Sequence, residues 1–297
     1  MSRLVMSAVL VLLCAAWAQA ASVSLPQTQD YTATPKHVSP DSEVLYHTGL
    51  SHKSLEGATL ALLPGDPGRV ADMARDITDP GTQAKPLAAH REYTSWLAWV
   101  GGKPVLICST GMGGPSVAIG LEELSRIGIK QVIRFGTTGS IQKNIHLGDV
   151  VINNAAVRLD GTSHHYAPAP FPAVANFTMT SALQRAAEAK KVPYHLGISV
   201  SSDTFWPGQE RYDSVTGYVP RHFQGTLKEW QALGAINYEM ETSTLFVVSH
   251  TLGLKAGAIC AVVAQRTESE SIASNEVYKK GYARMIEVTR EAILQLL

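Results

Sequence analysis

The chain of 297 residues has only 3 cysteines, Cys14, Cys108 and Cys260. That is too few for the disulfide framework that holds small secreted domains together. Cys108 and Cys260 lie inside apolar, strand-like runs, where a cysteine serves as a small buried hydrophobe. An excess of either charge is also missing, since Lys plus Arg and Asp plus Glu number 25 each. With no basic block interleaved with aromatics, nucleic acid is not an expected partner. The apolar run from Leu4 to Trp17 is shorter than the roughly 20 residues that cross a hydrocarbon core, so no membrane anchor is expected either.

That run does have a purpose. Arg3 precedes it and Ala18-Gln19-Ala20 follows it, the layout of a secretory signal peptide over residues 1–20. A secreted or periplasmic protein is the expectation; the alternative, a cytoplasmic protein, applies if the leader is not used. Residues 21–44 are rich in Ser, Thr, Pro and Gln without periodic apolar positions, and read as a flexible leader. Residues 45–297 are expected to fold as a single domain around one large core.

Within that span, apolar runs dense in β-branched residues alternate with segments of helical period. Strands are predicted at Ala58 to Leu63, Pro104 to Ser109, Gln131 to Phe135, Gly148 to Val157 and Gly197 to Ser202. Helices are predicted at Pro115 to Ile127, Thr180 to Lys190, Thr242 to Leu252 and Glu276 to Leu297. Strands apolar on both faces and separated by helices imply an α/β domain, its central sheet covered by helices on both sides. Glu92 to Val100 alternates in polarity, which adds an antiparallel strand and makes the sheet mixed.

Five segments place polar chemistry at the ends of these elements. Gly65-Asp66-Pro67-Gly68-Arg69 lies between a strand and a helical pattern. Backbone N–H groups there, with Arg69 as a fixed cation, suit an oxyanion such as phosphate; an ordinary Gly/Pro turn with a solvated arginine has the same composition. Arg134-Phe135-Gly136-Thr137-Thr138-Gly139 reads as a strand end where glycines let backbone approach a ligand and hydroxyls can donate. An arginine ending an apolar strand needs a charge partner. Ser109-Thr110-Gly111-Met112-Gly113-Gly114-Pro115 is a further glycine-rich turn, equally consistent with close packing of strand on helix.

Phe205-Trp206-Pro207-Gly208-Gln209-Glu210-Arg211 offers an aromatic face, an amide and a planar donor fork, which suit the carbonyl, N–H, carbonyl edge of uracil. A surface loop with a buried aromatic anchor reads the same way. In Asn237-Tyr238-Glu239-Met240-Glu241, a carboxylate at a strand end can accept hydrogen bonds from both hydroxyls of a ribose. An acid near a helix N-terminus also complements the macrodipole. For Glu239 the two readings weigh equally, whereas Glu241 is assigned to the sugar.

In this order, the phrases GDPGRV, HREYTSW, STGMGGPS, RFGTTGSI, GDVVI, VRLDGTSHHYAP, SSDTFWPGQERYD and NYEMET resemble those of the uridine phosphorylases, relatives of the hexameric purine nucleoside phosphorylases. The resemblance runs from about Leu45 to the C-terminus. It implies the nucleoside phosphorylase fold and the reversible phosphorolysis of uridine to uracil and ribose 1-phosphate, in pyrimidine salvage or catabolism. It also implies that Gly65, Arg69, Arg134 and Thr137 bind phosphate, with Arg91 reaching in from a neighbouring subunit. Met240 and Glu241 then hold the ribose together with His47 of that neighbour, and Thr138, Gly139, Phe205, Gln209, Arg211 and Arg266 surround the uracil.

Catalysis falls to Arg211, Gln209 and Arg134. Purine-specific relatives carry a purine-protonating aspartate where Arg266 stands here, which favours a pyrimidine. The resemblance further implies a homohexamer built from dimers, inorganic phosphate as co-substrate and no required cofactor. It puts a potassium ion at the dimer interface, where Glu92 and Ser116 match.

Overall fold

Four consecutive buried residues, Leu60–Leu63, form strand β1 in the computed structural model of the chain, which describes residues 38–267 and 270–297. The expected signal peptide, and the leader up to His37, lie outside the described residues. Residues 38–44 belong to the same compact unit as the rest, Val38–Leu297. There Ser39 is buried and the Asp41 carbonyl accepts the Lys53 N–H at 3.1 Å.

After β1 the strands are β2 (Lys85–His90), β3 (Tyr93–Val100), β4 (Lys103–Cys108), β5 (Gln131–Ser140), β6 (Val150–Leu159), β7 (Ala173–Val174), β8 (Tyr194–Ser202), β9 (Asn237–Glu239), β10 (Lys255–Arg266) and β11 (Glu270–Ile272). Helices α1 (Val70–Ile77), α2 (Gly114–Arg126), α3 (Thr162–Tyr166), α4 (Phe177–Ala189), α5 (Thr226–Ala232), α6 (Thr242–Leu252) and α7 (Asn275–Leu296) are interleaved with them. Among the described residues, no helix is long and apolar enough to cross a membrane.

The sheet is mixed, as its alternating strands require. β1 pairs in parallel with β4 and β5, and the antiparallel strands β3 and β2 extend that side. On the other side the pairing closes on itself. β5 runs parallel to β10, β10 antiparallel to β6, β6 parallel to β8, β8 parallel to β9, and β9 returns antiparallel to β5.

Period-2 alternation feeds two cores. Ala61 and Leu63 of β1, with Leu106 and Cys108 of β4, meet Val117 and Leu121 of α2 and Leu245 and Phe246 of α6. Leu60 and Leu62, with Val105 and Ile107, meet Met73 of α1, Leu183 of α4 and Met285 of α7. Both faces of the sheet are thereby covered, in agreement with the predicted α/β class. Cys108 and Cys260 are buried and unpaired.

Local chemistry sets the helix ends. Asn176 caps α4 by accepting the N–H groups of Thr178 and Met179, and Ser274 caps α7 by accepting that of Val277. Gly253, at φ 68°, ends α6 in the left-handed conformation that glycine enters without a steric penalty.

β5 departs from its predicted bounds. It does not stop at Phe135 but continues through Gly139 to Ser140. The cause is partnership: β10 pairs with it along its whole length, and β9 joins at Gly139 and Ser140. Arg134 is therefore a mid-strand residue, not a strand-end residue.

Candidate active site

A cavity of about 750 Å³ lies where the loops after β1, β4, β8 and β9 converge on the second half of β5. That volume falls within the roughly 300–1,000 Å³ usual for small-ligand sites. Gly65, Arg69, Glu92, Arg134, Thr137, Thr138, Gly139, Phe205, Gln209, Arg211, Met240 and Glu241 all line it.

One end is cationic. The Thr110 and Gly111 N–H groups donate to the Pro64 and Gly65 carbonyls, each at 2.9 Å, so the loop after β4 holds the loop after β1 in place. Gly111 is required there: its φ is +70°, and a Cβ would lie 3.0 Å from Glu92 Cβ. Arg69 reaches the cavity from the turn before α1, paired to Asp66 at 3.7 Å, and its Nη1 is buried without a hydrogen-bond partner among the described residues. A buried guanidinium nitrogen left unpaired is poised for an anion.

Arg134 projects from β5 and is almost fully buried, which is tolerable only with its charge matched. Its Nη2 pairs with Glu241 Oε2, and its Nε lies 3.1 Å from Glu239 Oε2. Burial works against the cation, but these two carboxylates more than offset it and hold the Arg134 pKa above the ordinary arginine value. The Glu241 carboxyl moves in the less usual direction. Burial raises its pKa and Glu239 adds to the rise, against the opposing pull of Arg134 and of the Gly113 N–H at 2.7 Å.

Glu239 resolves the ambiguity left by its sequence position. Its carboxylate accepts the N–H groups of Glu241 and Thr242 at 2.8 Å each, together with the hydroxyls of Ser199 (3.1 Å) and Ser201. It lines the cavity, and it also anchors the start of α6, the role of an acid at a helix N-terminus.

The opposite end is built by the loop after β8 and by β10. Phe205 is 43% exposed, and the Arg211 guanidinium stands 4.0 Å from its ring centroid. Gln209 and Arg211 are buried. The Gly208 N–H donates to Thr204 Oγ1 at 2.8 Å and the Arg211 N–H to the Trp206 carbonyl at 2.8 Å, which fixes the turn that aims both side chains. Burial and the nearby Arg266 cation push the Arg211 pKa down to about 10, against the opposing pull of the Asp213 carboxylate; the Arg211 guanidinium is also in ion-pair contact with Glu270.

Four predicted residues do not line the cavity. Arg266 is buried behind it, its guanidinium 5.4 Å from the Tyr238 ring centroid. Ser116 sits at the start of α2, its Oγ directed at the Gly113 carbonyl (3.2 Å). His47 and Arg91 lie outside on a common surface, where Tyr46 packs edge-on against His47 and carries the Arg91 guanidinium 5.6 Å from its ring centroid. Thr138 does line the cavity, but its hydroxyl is committed to the scaffold. It donates to the Tyr238 carbonyl at 2.6 Å and accepts from Asn237 Nδ2 at 2.7 Å.

Sequence reasoning missed Val263, Ala264, Glu270 and Ile272, which also line the cavity. Val263 stands at a register shift between Val262 and Ala264 in the pairing with β5, and such a bulge re-aims side chains. Periodicity carries no signal for a bulge. Glu270 and Ile272 belong to a short edge strand without a motif.

The family model described as "Phosphorylase superfamily" matches residues 59–294, nearly the whole described unit. The chain belongs to the phosphorylase superfamily. Among superfamily members, the uridine phosphorylase of Escherichia coli (strain K12) is 48% identical over 253 residues, covering 85% of this chain and 98% of the relative. The uridine phosphorylase of Thermococcus kodakarensis is 41% identical over 248 residues, 84% of this chain and 85% of its own. A superfamily member of another specificity, the guanosine phosphorylase of Halorubrum lacusprofundi, is 36% identical over 203 residues, 68% of this chain and 77% of its own.

Proposed function

We propose that this chain is a pentosyltransferase that catalyses the reversible phosphorolysis of uridine to uracil and ribose 1-phosphate. The observation that carries the reading is one cavity joining an arginine-rich end (Arg69, Arg134), a carboxylate at its middle (Glu241) and a Phe205, Gln209, Arg211 face. Relatives named as uridine phosphorylases match over most of their own length, in support of the same reading. The reaction needs no cofactor; inorganic phosphate is the co-substrate.

Phosphate binds to Gly65, Arg69, Arg134 and Thr137, the ribose to Met240 and Glu241, and uracil to Thr138, Gly139, Phe205, Gln209 and Arg211, with Arg266 behind them. The bond from the anomeric carbon to N1 of uracil loosens first, and its electron pair moves onto the base. A phosphate oxygen then bonds to the anomeric carbon, and the base anion leaves as uracil by taking up a proton equivalent to the one hydrogen phosphate gives up. Gln209 and Arg211 stabilise charge arising on the uracil oxygens, an interaction stronger in the transition state than in the ground state. Arg134 touches Glu241 in the free site and so links the phosphate and ribose subsites.

The active assembly is a homohexamer built from dimers, in which Arg91 and His47 complete a neighbour's cavity. Support comes from their position on one surface outside their own cavity. A potassium ion sits with Glu92 and Ser116; both flank Gly111 and offer the oxygen ligands a hard cation prefers. The protein works outside the cytoplasm, after cleavage behind Ala20, a reading that rests on the residue pattern of positions 1–20.

The test is uridine cleavage by the purified protein with and without inorganic phosphate, following uracil and ribose 1-phosphate. Phosphate-dependent release of both is the expected outcome. Release of free ribose without phosphate means a nucleosidase, and binding without cleavage means a nucleoside-binding protein; either overturns the proposal.

A further inference from the structure

Glu123 lies on α2 between the core residues Leu121 and Leu124, and among the described residues no Lys or Arg pairs with it. A carboxylate buried in such a place is costly unless hydrogen-bonded, and it has no part in the cavity. Its partners all come from one short segment. Oε1 accepts the His47 N–H at 3.0 Å and faces His47 Nδ1 at 2.7 Å, while Oε2 accepts the Thr48 N–H at 2.8 Å. Burial raises the Glu123 pKa, but these donors outweigh it and hold the carboxyl below the ordinary glutamate value. Glu123 is therefore ionised near neutrality and can only accept.

An acceptor 2.7 Å from Nδ1 dictates which ring nitrogen carries the proton. In the neutral imidazole the proton sits on Nδ1, and Nε2 is left with its lone pair on a side chain 35% exposed. The ring is braced from a second direction by Tyr46, edge-on at 5.0 Å, and the His47 carbonyl faces His90 Nδ1 at 3.0 Å. The exposed nitrogen is thus an oriented acceptor, and the group it matches is a hydroxyl, not a phosphate oxygen.

We infer that Glu123 is a positioning residue that fixes His47 in the tautomer whose Nε2 accepts a hydrogen bond from a sugar hydroxyl of the substrate in a neighbouring subunit. The inference rests on the reading above that His47 completes a neighbour's site. It adds the direction of the hydrogen bond and the buried carboxylate that sets it.

The test combines one spectroscopic and one kinetic measurement on the full-length enzyme. Imidazole nitrogen-15 NMR, recorded as pH is raised until the His47 shifts no longer change, reports the tautomer of the neutral ring, with His47 assigned from a His47→Gln sample. The expected result is protonated Nδ1 in the wild type, an outcome independent of how any Glu123 variant folds. In Glu123→Gln the acceptor loses its charge and its N–H₂ must face a backbone N–H of His47 or of Thr48, so the hold on the Nδ1 proton weakens and the tautomer protonated at Nε2 becomes populated. The KM for uridine then rises roughly tenfold while the KM for phosphate holds, as loss of one hydrogen bond predicts. In a His47→Ala background the same Gln substitution has little further effect on the uridine KM.

Protonated Nε2 in the wild type overturns the inference, as does a uridine KM penalty that persists undiminished in His47→Ala. If His47→Ala lowers activity but Glu123→Gln leaves the uridine KM unchanged, the inference alone fails. If His47→Ala behaves as wild type, the neighbouring-subunit reading fails with it.

Discussion

Arg211 shows how a single side chain can be committed before substrate arrives. Its guanidinium stands over Phe205 and in contact with Glu270, so the planar fork is already oriented toward the cavity. Arg211→Ala is expected to lower kcat/KM for uridine roughly 100-fold or more, the cost of losing a charge-stabilising donor; wild-type turnover in a purified variant contradicts this role. Glu241 makes a second prediction. It must be ionised to accept both ribose hydroxyls, and its pKa is raised. Activity is therefore retained above that pKa and lost as pH falls through it, with a midpoint above the roughly 4.3 of an ordinary glutamate. A pH profile of kcat/KM checks the midpoint, and Glu241→Gln should abolish the acid limb along with most of the activity. Roles such as these were legible because guanidinium, amide and carboxylate are recognisable chemistry. The commitment of the Thr138 hydroxyl to Tyr238 and Asn237 was not legible, since nothing in the phrase RFGTTG says which way that hydroxyl turns.

Elements hold these side chains, and the junction of α3 with α6 is a sensitive one. The Asp160 carboxylate accepts the Ser163 N–H at 2.6 Å and the hydroxyls of Ser163 (3.0 Å), Thr244 (2.8 Å) and Ser243. It ties the loop after β6 to the first turn of α6, directly behind Met240 and Glu241. Burial raises its pKa, but the hydroxyl and amide donors more than reverse this, and the net shift is downward. The stability Asp160 contributes is present above its unfolded value of about 3.9 and is lost as pH falls through the lower folded value. Asp160→Ala leaves buried hydroxyls unpaired at a cost of about 3 kcal/mol. A fall of roughly 6–12 °C in Tm follows for a chain of this size, which calorimetry near neutral pH can check. Helices were found close to their predicted bounds because their apolar faces repeat over several turns. The far half of β5, the bulge at Val263 and the edge strand β11 depend on neighbouring strands, and a neighbour is not a property of a segment.

For the whole molecule, the decisive feature is a closed run of strands whose rim makes one cavity, with two further candidate ligands facing away from it. If Arg91 and His47 serve a neighbour, two inactive variants should rescue each other. An Arg91→Ala subunit keeps its own Glu241, and a Glu241→Gln subunit keeps its own Arg91, so a mixed dimer regains one complete site. Co-expression is expected to restore activity at roughly a quarter of the sites, the share random pairing across a two-fold interface allows. Activity no greater than that of the separate variants contradicts the shared site, as does full activity in a monomer isolated by size.

The residue pattern alone determined the α/β class, the strands apolar on both faces that a covered sheet requires, and the three kinds of chemistry in the cavity. Each is written in local periodicity or in the functional groups of short segments. Only the tertiary structure decided which of those groups meet. Arg134 and Glu241 are more than 100 positions apart, as are Gly113 and Glu241, and the partner that gives Glu123 its meaning is 76 positions away. Such pairings follow from strand order and ring closure. A carboxylate buried on α2 read as one more helical position until the chain brought His47 against it.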